Sequence, residues 1–88
     1  MTLFMIDSTD NVATALETLE PGEATFAGGA TGVVRVLEKV ERGHKVALKD
    51  IPAGTAVVKH GHPVAVAFRD ISAGEWVHTH NAGSMCDR

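Results

Sequence analysis

The sequence predicts a mainly β domain of short strands joined by tight corners, with one short helix near the start. Three observations support this prediction. Apolar runs rich in β-branched residues are short, and glycine or proline interrupts them at close intervals. One phrase, Lys49 to Val57, returns as Arg69 to Val77. The repeat is too short for a solenoid, so it predicts one strand–turn–strand corner, used three times if a looser copy at Ala15 to Gly22 is included.

Length and charge limit the kinds of protein that this chain can be. Its 88 residues predict one domain over 1–88, with a core at about 8–81 and a loose tail at 82–88. Eight Lys and Arg face eleven Asp and Glu, and this net charge of −3 argues against a nucleic-acid partner. The single cysteine, Cys86, suggests a reducing compartment. Acidic residues follow the apolar start too soon for a signal peptide or membrane span, so we expect a cytoplasmic location.

The first part of the chain is expected to hold a strand and the single helix. Leu3 to Ile6 is a short apolar run typical of a strand. Asp7 to Asp10 offers oxygen acceptors of the kind that begin helices. Apolar residues then recur at i, i+3, i+4 and i+7, namely Val12, Ala15, Leu16 and Leu19. The spacing predicts a helix from Asn11 to Leu19, which Pro21-Gly22 ends.

The remaining residues alternate between strands and turns. Thr25 to Gly32 is rich in glycine and uncharged, and it is predicted to be a flexible loop, since no phosphate-loop lysine follows. His60 to Pro63 is predicted to be a turn, because a residue before proline avoids the helical region. Strands are predicted at 33–40, 45–49, 56–59, 64–68 and 76–80.

The repeated Asp-Ile-x-Ala-Gly phrase is explained by architecture. Ile51 and Ile71 are expected in the core, and the preceding Asp50 and Asp70 are expected to accept N–H groups of the turn that follows. The glycine supplies a backbone conformation that other residues reach only with strain. An acid–base carboxylate pair is the alternative, but repetition in equivalent corners favours capping.

Two histidine pairs are the first candidates for chemistry. His78 and His80 lie on the predicted last strand, where i and i+2 side chains share a face and stand about 7 Å apart. Two such imidazoles could hold a divalent metal or an anionic substrate, although metal sites normally recruit another ligand. The alternative is the polar face of an exposed strand. His60 and His62 flank a turn glycine, and turn geometry does not guarantee them a shared face.

Cationic residues are the second candidates. His44 and Lys45 lie at the start of a predicted strand, and Lys59 lies at the end of another. Such groups suit a carboxylate substrate, and solvated turns explain them nearly as well. Cys86 is expected to be inert, with a third-ligand role as the chemical alternative. No nucleophile–base arrangement follows from the spacing, so the chain is expected to supply only part of a catalytic site.

These motifs together resemble the SAF domain of the altronate/galactarate dehydratase family. The matching segments are Gly43-His44-Lys45, Lys59 with Gly61, Arg69-Asp70-Ile71 with Gly74, and Val77-His78-Thr79-His80-Asn81. The resemblance covers about residues 8–81 and is strongest from Gly43 onward. Such domains occur at an N-terminus or as a separate small subunit, as in the related sulfolactate sulfo-lyase. The family more often has an aromatic residue where His60 stands, and His62 lies outside the signature.

The resemblance implies a β-clip fold and a metal-dependent lyase, usually iron-associated. The enzyme would eliminate water or sulfite from a hydroxylated sugar acid or sulfolactate, with a large subunit holding most of the catalytic machinery. The chain would then be inactive alone. Residue-by-residue matching assigns Gly43-His44-Lys45, Lys59-Gly61 and His78-x-His80-Asn81 to the family's polar signature positions. We infer from this that His78 and His80 contact the metal or its bound hydroxyl, and that His44, Lys45, Lys59 and Asn81 contact the substrate.

Two other classes of function stay open. SAF-like domains also occur as non-catalytic appendages that capture sugar acids or other anions. A purely structural oligomerisation domain, in a possible homo-oligomer, is the third reading of the same sequence.

Overall fold

The computed structural model describes residues 2–5 and 7–83, and this part of the chain is built entirely from short strands, turns and bends. The strands are β1 (Thr2–Met5), β2 (Val12–Ala15), β3 (Gly22–Gly28), β4 (Gly32–Val36), β5 (Lys45–Ala47), β6 (Ala56–Lys59), β7 (His62–Ala67), β8 (Trp76–Val77) and β9 (Ala82–Gly83). The predicted mainly β fold class is therefore confirmed. No helix among the described residues could cross a membrane.

The strands form two sheets, each over an apolar cluster. The larger sheet has the order β4-β3-β1-β2-β5-β8, and the smaller has the order β6-β7-β9. Only β1 and β3 run parallel to one another; the other pairs are antiparallel. One cluster gathers Leu3, Leu19 and Val34 with their neighbours, and the other gathers Ile51, Ile71 with theirs. β5 and β8 bring the larger sheet to the second cluster, where the candidate site lies.

The predicted helix from Asn11 to Leu19 is wrong. Val12–Ala15 forms β2, which pairs with β1 on one side and β5 on the other. A strand inside a sheet and covered on both faces is apolar at successive positions, and such a run mimics helical spacing. Leu16, which the helix would have buried, is exposed. Asp10 caps no helix, because its carboxylate accepts the N–H groups of His60 and Gly61 at 3.0 and 2.7 Å.

Several predicted boundaries also differ. The glycine-rich loop at 25–32 is shorter than expected, because β3 continues to Gly28 and β4 begins at Gly32. β8 ends at Val77, so His78 and His80 lie in the turn that follows and not on a strand. Ala82–Gly83, assigned to the loose tail, pairs with β7 as β9. The rest of that tail, Cys86 included, lies outside the described residues.

The two copies of the repeat bind each other. Ile51 and Ile71 form an antiparallel bridge, with N–H to carbonyl distances of 2.7 and 2.8 Å. Each aspartate accepts the alanine N–H of the opposite copy at 2.9 Å, as Asp50 with Ala73 and Asp70 with Ala53. The predicted capping role is confirmed, but each carboxylate caps the other copy's turn instead of its own.

A second pair of corners has the same geometry. Leu19 and Val40 form an antiparallel bridge, as the two isoleucines do. The looser upstream copy, which ends at Gly22, thus forms a corner like those of the two close copies. Its partner ends at Gly43 and is a fourth corner, which the sequence did not suggest. The Gly43 N–H donates to Ala15, just as the Gly74 N–H donates to Ala47. This pair of corners places His44 directly before β5.

Candidate functional site

Four aromatic rings gather at the end of β8. The His44 ring lies 5.6 Å from Trp76 and 5.0 Å from His78, measured between centroids. Trp76 stacks on His78 at 5.2 Å and contacts His80 at 4.8 Å. His44 and Trp76 are half-buried, whereas His78 and His80 are exposed. Three of the predicted site residues therefore surround one tryptophan.

The pairing of β5 with β8 creates this cluster. Lys45 lies opposite Val77 and Val46 lies opposite Trp76 in the antiparallel register. The residue before β5 therefore approaches the residue after β8, and these are His44 and His78. The Glu38 carboxylate accepts the Trp76 N–H at 3.2 Å and helps to hold the short strand in place.

The indole of Trp76 is hydrogen-bonded to His44. Its Nε1–H donates to His44 Nδ1 at 3.0 Å. The indole nitrogen is a donor only, so this contact requires Nδ1 to be the accepting nitrogen. The other ring nitrogen of the neutral imidazole, Nε2, then carries the hydrogen.

Asn81 shapes the turn that carries the two histidines. Its side chain is fully buried, its amide donates to the Trp76 carbonyl at 2.8 Å, and its Oδ1 accepts the His78 N–H at 3.0 Å. Arg69 donates to the His80 carbonyl at 3.1 Å on the same turn. Substrate contact by Asn81 stays a prediction, and such contact would require the amide to exchange these internal bonds.

A pocket of about 190 Å³ opens beside the histidine turn. Polar groups of Lys45, His78 and Thr79 line it, and its apolar wall comprises Val57, Ala65, Val77 and Ala82. Burial lowers the pKa of Lys45 below its usual value, and the positive charge of Lys59 lowers it further. The fold has thus placed Lys45 within electrostatic range of Lys59, at an opening that suits an anion.

A larger groove of about 330 Å³ lies between the repeated corners. Its lining includes Asp50 and Asp70, and none of the predicted site residues. Both carboxylates already accept backbone N–H groups across the pair of corners. This groove is a consequence of the repeat architecture, and the smaller pocket is the better candidate for chemistry.

The histidine turn offers part of a metal site. His78 and His80 could supply two imidazoles, and the Thr79 hydroxyl lies 3.2 Å from His78 Nδ1, where it can orient that ring. Across residues 2–5 and 7–83, no three or more His, Cys, Asp or Glu side chains are arranged to hold a metal ion. Metal binding by His78 and His80 stays a prediction, and it requires ligands from beyond the described residues.

The other histidine pair lies apart from this ring cluster. His60 occupies the turn between β6 and β7 with a φ of 56°, and the carboxylate of Asp10 stabilises that turn by accepting the His60 N–H. His62 begins β7 and is exposed. Among the described residues, the ring contacts of the cluster include neither of them.

Sequence reasoning missed Trp76, which lies at the centre of the site. A signal was available, because Trp76 stands where the first copy of the repeat has Ala56. The two copies have the same length, and one has a small residue at this position, so the corner itself does not require a large aromatic side chain. The tryptophan therefore indicates a local role of its own. Glu38 gave no signal of this kind, since it pairs with a backbone N–H that only the fold brings near.

Comparison with known proteins gives consistent matches. Residues 1–85 match the family model for the altronate/galactarate dehydratase SAF domain. The chain is 41% identical over 76 residues to altronate dehydratase of Bacillus subtilis (strain 168), covering 86% of this chain and 15% of that protein. It is 43% identical over 81 residues to altronate dehydratase of Escherichia coli (strain K12), covering 92% and 16%. The chain therefore spans about one sixth of these enzymes' length.

A shorter relative matches a separate subunit. The chain is 46% identical over 39 residues to (2R)-sulfolactate sulfo-lyase subunit alpha of Paracoccus pantotrophus. The match covers 44% of this chain and 58% of that subunit, so the relative is itself a short polypeptide. Similar sequences thus occur both inside long dehydratases and as a short subunit.

Proposed function

Because this chain belongs to the SAF-domain family of the altronate/galactarate dehydratases, we propose that it acts as the small subunit of a metal-dependent lyase. The enzyme eliminates water or sulfite from a hydroxylated sugar acid or from sulfolactate, and a large subunit completes its site. The observation that carries the proposal is the convergence of His44, Lys45 and His78 beside one open pocket, with Lys59 within electrostatic range.

The cationic side of the pocket binds the acid group of the substrate. Lys45 is half-buried and its pKa is lowered by burial and by Lys59, so the free chain holds two ammonium groups in mutual repulsion. A carboxylate or sulfonate bound between them would relieve that repulsion and form charge-assisted hydrogen bonds. The apolar wall formed by Val57 and Val77 would strengthen these contacts by excluding water.

The histidine turn faces the reacting end of the substrate. His78 and His80 are exposed on the turn beside the pocket, and they contribute two imidazoles to a divalent metal, which we infer to be iron. When bound, such a metal polarises the hydroxyl and carboxylate oxygens of the substrate and stabilises negative charge that develops next to them. The remaining ligands come from the large subunit.

The outer face of the larger sheet supports a covering partner. Phe4 lies opposite Thr14, and Thr14 lies opposite Lys45, so one row of side chains leads across the sheet to the candidate site. Exposed apolar side chains occur on this face at Phe4 and Val33. A large subunit that covers this face would bury these apolar side chains. It would contact Lys45 at the edge of the interface, since the centres of interfaces are depleted of charged residues.

A second candidate function is a non-catalytic module that captures sugar acids. It is favoured by one observation: the described residues contain cationic groups around a pocket but no complete metal-ligand set. The two functions differ in their dependence on metal and partner. Both predict that the isolated chain binds galactarate, so the calorimetric affinity is compared with and without a candidate large subunit and a divalent metal: an affinity that neither of them changes supports the module.

The lyase proposal is tested by reconstitution. The chain is co-expressed with a candidate large subunit, and turnover of altronate, galactarate and (2R)-sulfolactate is measured with and without it. We expect activity only in the complex, lost with Lys45→Met and retained with Lys49→Met, an exposed lysine outside the pocket. Full turnover by the large subunit alone would refute the proposal.

A further inference from the structure

Trp76 and His44 are joined by a side-chain hydrogen bond in the site. The indole N–H donates to His44 Nδ1 at 3.0 Å, and both residues are half-buried. Trp76 also packs against the first apolar cluster, which helps to hold the indole in place. The donor is therefore held on a rigid base, and it has no alternative role as an acceptor.

The contact determines which nitrogen of His44 faces a ligand as a donor. With Nδ1 accepting, the neutral ring carries its hydrogen on Nε2. An Nε2–H group can donate to a carboxylate or sulfonate oxygen, but it offers no lone pair to a metal ion. His78 and His80 have no such bond from the indole nitrogen among the described residues.

We propose that Trp76 is a positioning residue that fixes His44 as an Nε2–H donor to an acid oxygen of the bound anion. The inference rests on the proposed function of this pocket, and it names what His44 recognises there. It also gives His44 a role different from that of His78 and His80, the candidate metal ligands.

His78 connects the His44 ring to the pocket. His78 stacks on His44 at 27° between ring planes, and it also lines the pocket together with Lys45. His44 itself is not among the residues that line the pocket, so His78 is the contact through which its ring adjoins the opening. The His44 Nε2–H would therefore meet an acid oxygen at the edge of the pocket beside His78.

A simpler role for Trp76 is that of a large ring filling space. Trp76→Phe separates the two roles, because phenylalanine keeps an aromatic ring for stacking and lacks the N–H donor. The tautomer of His44 is read by two-bond ¹H–¹⁵N correlation NMR on the full chain labelled at histidine. We expect a dominant Nε2–H tautomer in the parent chain and a mixture of tautomers in Trp76→Phe.

Anion binding is then measured on the same samples by titration with galactarate. Because the apparent affinity falls with the fraction of His44 that carries Nε2–H, an equal mixture of tautomers predicts about twofold weaker binding by Trp76→Phe, and a dominant Nδ1–H tautomer predicts roughly tenfold weaker binding. In the Trp76→Phe background, His44→Gln should restore most of the affinity, because its amide nitrogen reaches the position of Nε2. His44→Asn should not, because its shorter amide reaches only the position of Nδ1.

The outcomes separate the two proposals. An unchanged Nε2–H tautomer in Trp76→Phe overturns the positioning role, and so does an affinity that stays at the parent value although the Nε2–H fraction has fallen. Equal rescue by Gln and Asn overturns it as well. If galactarate fails to bind the parent chain while the tautomer changes as expected, Trp76 positions His44 as inferred and the proposed acid-binding function of the pocket fails.

Discussion

Replacement of Asn81 by alanine should destabilise the fold through two backbone groups that it leaves without their present partners. Its side chain is fully buried and joins the Trp76 carbonyl to the His78 N–H. A buried polar group that loses its partner costs about 1–3 kcal/mol. The His78 N–H lies at the exposed turn, where water can replace the amide, so we expect a total near 2–3 kcal/mol.

The loss is measured by urea unfolding followed by fluorescence of the single tryptophan. Trp76 lies next to the affected turn, and its signal reports the global transition of a chain this size. A loss of about 2–3 kcal/mol corresponds to a fall in Tm of roughly 8–24 °C for a domain of this length.

Asn11→Ala provides a matched control. Asn11 is also buried, and its side chain likewise bonds two backbone groups, donating to Ala56 at 3.0 Å and accepting from Val58 at 2.7 Å. We expect a similar loss of stability from it. Under conditions where both variants are folded, anion affinity should fall only for Asn81→Ala, because the hydrogen bonds of Asn11 among the described residues join it to β6 and Leu48 and not to the histidine turn.

The reasoning on Asn81 fails if the variant unfolds within about 0.5 kcal/mol of the parent chain, since surface substitutions have effects of that size. A variant with parental stability and no anion binding would instead indicate direct substrate contact by the amide.

Three further outcomes are expected from the same geometry. Lys45→Met should abolish galactarate binding and raise the free energy of unfolding at neutral pH. Because the pKa of Lys45 is lowered in the folded chain, the unfolded chain binds more protons, so the stability of the parent chain should rise with pH in the alkaline range below 10.5. In pH-dependent urea unfolding the variant should lose that slope. Gly74→Ala should lower the free energy of unfolding by more than about 3 kcal/mol, because its Cβ would lie 1.8 Å from a backbone oxygen at a φ of 92°. Gly54→Ala has a similar φ of 85° but meets open space, so it should lower that free energy by only about 1–2 kcal/mol; thermal unfolding measures both. Val33→Lys should weaken co-purification with a large subunit while Val64→Lys, an exposed valine on the smaller sheet, should not; equal effects would exclude the outer face of the larger sheet as the contact surface.

Local signals in the sequence were enough to predict the β class and the corners. Asp50 and Asp70 recur with an isoleucine and a glycine at fixed spacing, and this chemistry determines a turn without knowledge of the fold. The partner of each aspartate could not be predicted, because the capped N–H belongs to a turn that is distant along the chain and near only after the copies bind each other. The helix error at Val12–Ala15 has the same origin, since sheet pairing on both sides overrides a local apolar period.

The residues of the candidate site were predicted better than their arrangement in space. His44 and His78 were chosen for their chemistry, and the register of β5 with β8 brings them together. The predicted strand under His78 and His80 is a turn instead. Asn81 holds this turn by two side-chain hydrogen bonds, which cannot be predicted from the periodicity of the sequence. Trp76 was noticeable only as a departure from the repeat, and its indole donor required coordinates to interpret.

The crosswise caps between the repeated corners have a consequence for how the chain is made. Each turn has a backbone hydrogen bond of its own, but neither Asp50 nor Asp70 caps its own copy, since each accepts an alanine N–H from the other. During synthesis the earlier corner therefore stays uncapped until Asp70 has left the ribosome. A break in the polypeptide between the copies would leave both caps and the Ile51–Ile71 bridge to form between two fragments, so split fragments of this chain are natural candidates for complementation.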